Sequence, residues 1–332
     1  MKKLTVFFLS VVSFCLMLGT AMAEDKVYNL KLQTMHPPSL MAYLENFAKD
    51  VEVASNGRIK IQAFAAGELV STVNTLKAVG SGTVDMGHAC GNYYSEFAMG
   101  NIEGGLPLGW ASPQEAQMIY DNLGMKELVT DEYAKHGAHY LTYLFAVPQQ
   151  ILTNKPVNSL EDLRTLKLRS VSPQSRMFAN LNINTVSIPA EDQYLALSTG
   201  QVDGTLYGAG YEYYINKFYE VAPYLVENPI TNPFVDHIII NKQLWDSMPA
   251  DLQEIMSLAA ERQRWVYYLM CVVGFEEVKS TAFKGVTRLS DSDVKALTEA
   301  SQAIWDEEAA RNENCAKGVQ IMRDVAKMTG RL

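Results

Sequence analysis

Cysteine is scarce in this sequence and charge is thin. Four cysteines among 332 residues cannot staple a chain of this length, which excludes a disulfide scaffold. Only 20% of residues are charged against 48% hydrophobic, a balance that excludes a disordered chain and leaves enough apolar surface for a core. The 28 basic residues are outnumbered by 37 acidic ones, so nothing points to a nucleic-acid partner. There is no series of long apolar runs, no linker and no low-complexity stretch. Catalytic signatures are missing too: the sequence holds no Gly-x-Ser-x-Gly elbow, His-Glu-x-x-His pair, Gly-Lys-Ser/Thr loop or Gly-x-Gly-x-x-Gly turn, which argues against an enzyme.

One apolar run is present, at the start. Met1-Lys2-Lys3 precedes a stretch from Leu4 to Leu18, and Ala21-Met22-Ala23 follows as a small-x-small site, the layout of a cleaved secretory signal. An uncleaved anchor is the competing reading, because the run approaches the length that spans a bilayer. A lipid anchor is disfavoured, since Cys15 lies inside the run. Removing the first 23 of 332 residues would leave 309, starting at Glu24, and losing Lys2 and Lys3 would take the formal charge from -9 to -11. Cys90, Cys271 and Cys315 would remain, too widely spaced for a Cys-x-x-Cys site. They are expected as buried thiols.

The rest of the chain alternates strand and helix signals. Residues 27–33 read as a strand, and Leu40, Leu44, Phe47, Ala48 and Val51 recur at helical spacing until Asn56-Gly57. Ile59, Ile61 and Ala63 alternate as a second strand, a helix covers 73–79, and 84–88 is a third strand, giving βαβαβ. Ser112-Pro113-Gln114-Glu115 carries an N-cap, a first-turn proline and a capping glutamate, so a helix starts there. Another ends at His136-Gly137, before an apolar strand over 138–147. Pro148 marks a boundary, after which the alternation restarts: strands at 150–153, 166–169 and 186–188, with helices over 175–181 and 191–199. Val202-Asp203-Gly204 echoes Val84-Asp85-Met86-Gly87. A strand over 234–241 follows, then a helical pattern from Pro249 to about Phe283, interrupted by Gly274. At 1.5 Å per residue it would reach about 50 Å, enough to brace two lobes. Residues 290–328 read as amphipathic helix.

Few residues stand out chemically. Arg169 closes the strand Leu166-Lys167-Leu168, at the carboxyl edge where ligand crevices of α/β sheets open. A guanidinium there can hold a carboxylate through two parallel hydrogen bonds, although position alone fits a surface arginine paired with an acid equally well. Tyr207-Gly208-Ala209-Gly210-Tyr211 could wall a pocket or form a packed turn. His136 and His139 have metal-like spacing but no cysteine or carboxylate doublet nearby to complete a site. His36 and His88 each adjoin a turn and read as ordinary loop residues.

Taken together, ordered motifs resemble the DctP-type solute receptors of tripartite ATP-independent periplasmic (TRAP) transporters across nearly the whole chain. They include Ser55-Asn56-Gly57-Arg58-Ile59-Lys60, Ala66-Gly67-Glu68-Leu69, Gly82-Thr83-Val84-Asp85-Met86-Gly87-His88, Thr153-Asn154-Lys155-Pro156, Lys167-Leu168-Arg169 and Gly200-Gln201-Val202-Asp203-Gly204. The resemblance implies an α/β, two-lobed periplasmic binding protein fold with hinge strands and a long helix spanning both lobes. Residues 24–147 with about 235–275 would form lobe I, and 148–234 with about 276–332 lobe II. It implies a periplasmic receptor that delivers a small organic acid to TRAP permease subunits, with no catalysis and no intrinsic cofactor.

In that family the arginine closing Lys-x-Arg grips the ligand carboxylate, which makes Arg169 the principal site residue. Dicarboxylate receptors often carry a second arginine where Gln149 stands here. The branch that binds 2-oxo and 2-hydroxy monocarboxylates resembles this chain more closely, through that glutamine, the Asp-Met-Gly-His run ending at His88, and an aromatic residue at Tyr207. Gln149 or Gln150 would then donate to the acid, and Tyr211, Asp236 and His237 complete the expected site. Some members bind the acid with Na+ or Ca2+, for which Gln150, Tyr207, Asp236 and His237 would be the donors here. Resemblance also implies a homodimer through the terminal helices. A dicarboxylate receptor with Arg176 turned inward, a periplasmic sensor, and a secreted hydrolase using Asp203 or His237 are the alternatives.

Overall fold

A computed structural model of the chain describes residues 26–231 and 233–332. The expected signal segment, 1–23, lies outside the described residues. The first stretch runs β1 (Tyr28–Thr34), α1 (Ala42–Ala54), β2 (Ile59–Phe64), α2 (Thr75–Gly80), β3 (Met86–Ala89), α3 (Gly100–Glu103), α4 (Pro113–Asn122), α5 (Met125–Lys135) and β4 (Ala138–Phe145). The second runs β5 (Ile151–Thr153), α6 (Leu160–Arg164), β6 (Lys167–Arg169), α7 (Gln174–Asn180), β7 (Asn184–Val186), α8 (Gln193–Ser198), β8 (Gly204–Leu206), α9 (Gly210–Ile215) and β9 (Tyr224–Val226). The chain then returns through β10 (Val235–Asn241), α10 (Lys242–Asp246), α11 (Ala250–Arg262), α12 (Val266–Val278), β11 (Gly285–Thr287), α13 (Asp291–Ala309) and α14 (Glu313–Met328).

The strands form two sheets, in the orders β2-β1-β3-β10-β4 and β11-β9-β5-β8-β6-β7. In the first, β1 pairs β2 and β3 in parallel, while β10 runs antiparallel to both β3 and β4. This is a two-lobed α/β fold. The chain crosses between sheets three times, after β4, before β10 and between β10 and β11, and the first two crossings are tied together: Ile230 N–H donates to Gln149 O at 2.8 Å, and Ala146 N–H to Phe234 O at 2.8 Å. Paired strands that bend together make a hinge, and the cleft lies beside it.

Local chemistry places several elements where the letters put them. Ser112 Oγ accepts from Glu115 N–H at 3.2 Å, and the Glu115 carboxylate accepts from Ala111 N–H, which fixes the start of α4. The Asp85 and Asp203 echo reflects shared construction. Each carboxylate accepts a backbone N–H of a strand in its own sheet, from Lys31 at 2.8 Å and from Lys167 at 2.9 Å. Gly80 is required by close approach, because a Cβ there would sit 2.1 Å from His136 O.

The segment after Pro249 differs from a single helix interrupted at Gly274. Two helices of 13 residues meet at a turn over 263–265. The break lets the Arg264 carbonyl accept Phe145 N–H at 2.8 Å, while its guanidinium bonds Asp121, Glu261 and Thr142. Gly274 sits inside α12 instead, giving room to the Tyr211 ring, which a Cβ would meet at 2.3 Å. Since α11 packs on α1 and β4 while α12 packs on α9, the pair still reaches both lobes. At the C-terminus, α13 packs on α7, whereas α14 lies against α3, α4 and α5. Cys90, Cys271 and Cys315 are unbridged and buried.

Candidate ligand-binding site

Arg169 ends β6 and is 1% exposed. Its Nε donates to Ile188 O at 2.9 Å, Nη1 to Leu206 O at 3.0 Å and Nη2 to the Tyr93 hydroxyl at 3.2 Å, and its guanidinium lies over the Tyr207 ring, 5.7 Å from the centroid. The two carbonyls belong to lobe II and fix the side chain's direction. Tyr93 follows β3, so its bond crosses the cleft. No carboxylate among the described residues lies within ion-pair distance of Arg169. Two of its five N–H groups are left over.

Tyr93 and Tyr207 open onto a small cleft also lined by His36, Gln149, Glu212 and Asp236. Gln149 Nε2 donates to Tyr207 O at 2.9 Å, so its Oε1 faces the other way and is buried without a partner. Asp236 is 2% exposed, and no hydrogen bond reaches its carboxylate among the described residues. Burial, then the nearby Glu212 and Glu103 carboxylates, hold it well above the ordinary carboxylate range. His88 Nε2 stands 4.0 Å away. That imidazole is held by Thr34 Oγ1 at 2.7 Å and the Tyr43 hydroxyl at 3.0 Å, and burial, then His36 and His237, keep it neutral. Burial alone pushes His36 down to about 3, and neither of its ring nitrogens has a partner. Together His36, His88 and Asp236 bring one donor atom each within 4.8 Å of one another, a cluster that could hold a cation.

The structure brings together Arg169, Gln149, Tyr207 and Asp236, with His88 behind them. It separates the others. Gln150 faces the hinge: its Oε1 accepts Gly210 N–H at 3.0 Å and its Nε2 donates to Glu227 O at 2.8 Å. Tyr211 packs on Gly274 of α12, away from the cleft. His237 points to the far face of the first sheet, because successive strand residues alternate. There Nδ1 lies 3.1 Å from Glu103 and 3.0 Å from the Tyr133 hydroxyl, and Nε2 3.1 Å from the Tyr94 hydroxyl. The expected cation set of Gln150, Tyr207, Asp236 and His237 is therefore not assembled. Arg176 pairs with Glu307 at 2.6 Å and with Glu308, and so does not turn inward. His139 stacks on Trp245, with centroids 4.3 Å apart, and has no metal-binding companion.

Tyr93, His36 and Glu212 were not singled out from the letters as site residues. Tyr93 had a usable signal, since it follows β3 at the same carboxyl edge that marks Arg169 after β6. His36 lay just beyond β1 at that edge. Glu212 had none. It caps its own helix by accepting Ala209 N–H at 2.8 Å, and it also accepts the Tyr267 hydroxyl, while burial raises it to about 7.

Comparison with known proteins settles the family. Residues 35–312 match the DctP family of bacterial extracellular solute-binding proteins, family 7. The chain belongs to that family. By that membership it is an extracellular solute-binding protein. A monocarboxylate 2-oxoacid-binding periplasmic protein of Nostoc is 25% identical over 319 residues, covering 90% of this chain and 84% of that one. A TRAP periplasmic solute-binding protein from Chromohalobacter salexigens, solved with bound (S)-(+)-2-amino-1-propanol, superposes with a TM-score of 0.86 at 23% identity, covering 92% of this chain and 97% of that one. Another from Pseudoalteromonas atlantica, solved with sodium and pyruvate, gives 0.82 at 22% identity, covering 92% and 96%.

Proposed function

We propose that this receptor closes around a compact organic monocarboxylate, a 2-oxo or 2-hydroxy acid, and presents the closed form to a TRAP permease. The observation that carries this reading is the lone Arg169 guanidinium, buried beside the cleft with no carboxylate partner and two N–H groups free. Burying a charge without a partner costs several kcal/mol. A ligand carboxylate accepting both N–H groups would offset that cost. The Tyr93 to Arg169 bond joins the lobes only when the cleft is shut, so closure and capture favour one another.

The names of the Nostoc protein and the Pseudoalteromonas complex agree with a 2-oxo acid. A dicarboxylate has no second free cation to meet, because Arg176 is occupied by Glu307 and Glu308. A Na+ or Ca2+ ion entering with the acid would rest on Asp236 and Gln149 Oε1. Arg169→Ala should weaken acid binding by about 3 kcal/mol or more, and Arg169→Lys should fail to restore it for want of the fork geometry. Calorimetric affinities unchanged in both variants would remove Arg169 from the site.

The proposed lobe I takes 24–147 with about 235–275 and lobe II 148–234 with about 276–310, and the packing of α14 on α3, α4 and α5 supports adding α14 to lobe I. A homodimer would use α12 in preference to the terminal helices. Val266, Leu269, Val272 and Val273 form an exposed apolar stripe on it at helical spacing. Export with cleavage after Ala23 completes the reading. Light scattering of the secreted protein and sequencing of its N-terminus test both; a monomer, or retention of Met1, would refute them.

A further inference from the structure

Beyond the ligand cleft, a second set of polar groups joins the lobes. Asn92 follows β3 and Asn101 lies in α3, both in lobe I; Ser172 follows β6 and Arg176 lies in α7, both in lobe II. Asn92 Nδ2 donates to Ser172 O at 2.9 Å and to Asn101 Oδ1 at 3.1 Å. Asn101 Nδ2 donates in turn to Glu308 Oε1 at 2.9 Å, and that oxygen also accepts from Arg176. Glu308 Oε2 accepts from Arg311 Nη1 at 3.1 Å. Glu308 is fully buried, and its one carboxylate takes donors from both lobes.

The placement couples this set to ligand capture. Residues 91–93 form one turn. Its Tyr93 hydroxyl accepts from Arg169, while its Asn92 amide donates to Ser172 O, three residues further along lobe II. A single turn of lobe I therefore grips both ends of the segment 169–172. Asn101, Ser172, Arg176 and Glu308 line a separate groove, and none of them lines the small cleft. Glu308 sits in α13, which packs on α7 and on α14. Whichever lobe that helix follows as the cleft opens, Glu308 loses either Asn101 or Arg176, and burial makes a carboxylate depend on such donors.

We propose that Asn101, Arg176 and Glu308, with the Asn92 to Ser172 bond, form a latch that stabilises the shut receptor and sets how long a ligand stays, without touching the ligand. This rests on the reading that the receptor captures its ligand by closing. A ligand that binds only the shut form has its apparent affinity reduced by the fraction of receptor able to shut. Weakening the latch therefore weakens every ligand by one factor and leaves the preference among them alone. Asn101, Arg176 and Glu308 are positioning residues.

The test uses the secreted receptor and two probes, pyruvate and lactate, followed by calorimetry and by stopped-flow dissociation. Asn101→Asp keeps the oxygen that Asn92 uses and turns the donor facing Glu308 into a second carboxylate oxygen. Losing a hydrogen bond to a charged group should weaken both acids about tenfold, by the same factor, with faster dissociation and unchanged association. Arg176→Gln should act in the same direction. Combining Asn101→Asp with Glu308→Gln restores a donor opposite the new acceptor and should recover most of the loss, which a misfolded variant would not do. Pulsed electron resonance between labels at Val53→Cys and Leu195→Cys, both exposed and one in each lobe, should show a larger wide-separation population in ligand-free Asn101→Asp.

Weakening by Asn101→Asp or by Arg176→Gln alone upholds the latch and names the bond that opening breaks. Unchanged affinities in both variants overturn it. So does one acid weakened well beyond the other, which would put the substituted residue in the ligand site. Where Asn101→Asp weakens binding, failure of the double variant to recover overturns the latch too. If the parent binds neither acid, the acid reading falls and the label distances decide: a larger wide-separation population in Asn101→Asp keeps the latch, and identical distributions remove it.

Discussion

Asp236 and His237 are neighbours on β10, and the strand turns their side chains to opposite faces of one sheet. On the far face, His237 meets Glu103, Tyr133 and Tyr94, and every polar atom of the group has a partner. On the cleft face, among the described residues, Asp236 meets no donor, His36 none, and Gln149 Oε1 none. Both faces are buried and both carry histidine and carboxylate. What separates them is satisfaction. A completed buried network holds a core in one arrangement, whereas an incomplete one is tolerated where a ligand completes it.

The comparison predicts different penalties on its two sides. Glu103→Ala should be the most damaging, because it strips the Tyr133 hydroxyl and His237 of their shared acceptor inside the core. Breaking such a buried pair costs about 3–5 kcal/mol, and denaturant melts should register it. A loss under 1 kcal/mol would erase the contrast between the faces.

Glu212 sharpens the comparison through pH. Its carboxyl is raised to about 7 in the folded state and lies near 4 unfolded, so the folded protein keeps a proton that the unfolded chain releases. Stability from this group therefore falls as pH rises from about 4.5 to about 7 and is level above that. His36, lowered to about 3, acts oppositely, its contribution rising from about pH 3 to about 6.5. Glu212→Gln should remove the falling term, leaving melts that climb more steeply across pH 4.5 to 6.5 than those of the parent. The full effect is about 3 kcal/mol. Parallel curves for the two proteins would contradict the assignment.

Asp236→Asn should have the smallest effect on stability. Burial already disfavours the charged form of Asp236, so a neutral amide of the same shape should leave the ligand-free protein as stable as the parent or more stable, by about 1 kcal/mol. Destabilisation on the scale expected for Glu103→Ala would mean that Asp236 holds the fold together.

Much of the frame was legible because local signals agreed with one another. The Ser112 cap and the alternation in β2 each depend on a few adjacent residues. Arg169 stood out because a cation at the carboxyl end of a short apolar strand lies at the edge where crevices open. Gln149 lines the cleft, whereas Gln150 faces the hinge. Adjacent residues in extended chain point opposite ways, and nothing in the two letters says which one faces the cleft. His237 and Asp236 repeat the problem one strand away. The break after Arg262 was hidden because good helix formers run straight through it, and only the end of β4 calls for the Arg264 carbonyl.

The sequence by itself determined the alternation of strands and helices, the family motifs and, as expectations, the export signature and the anchor arginine, since each is written in short-range spacing or in side-chain chemistry. The tertiary structure decided which of two neighbouring side chains meets the ligand, which charges find partners, and where α14 rests. Those outcomes depend on groups far apart in the chain, such as Arg169 and Tyr93 or His237 and Glu103, and only the packed fold sets the distance between them.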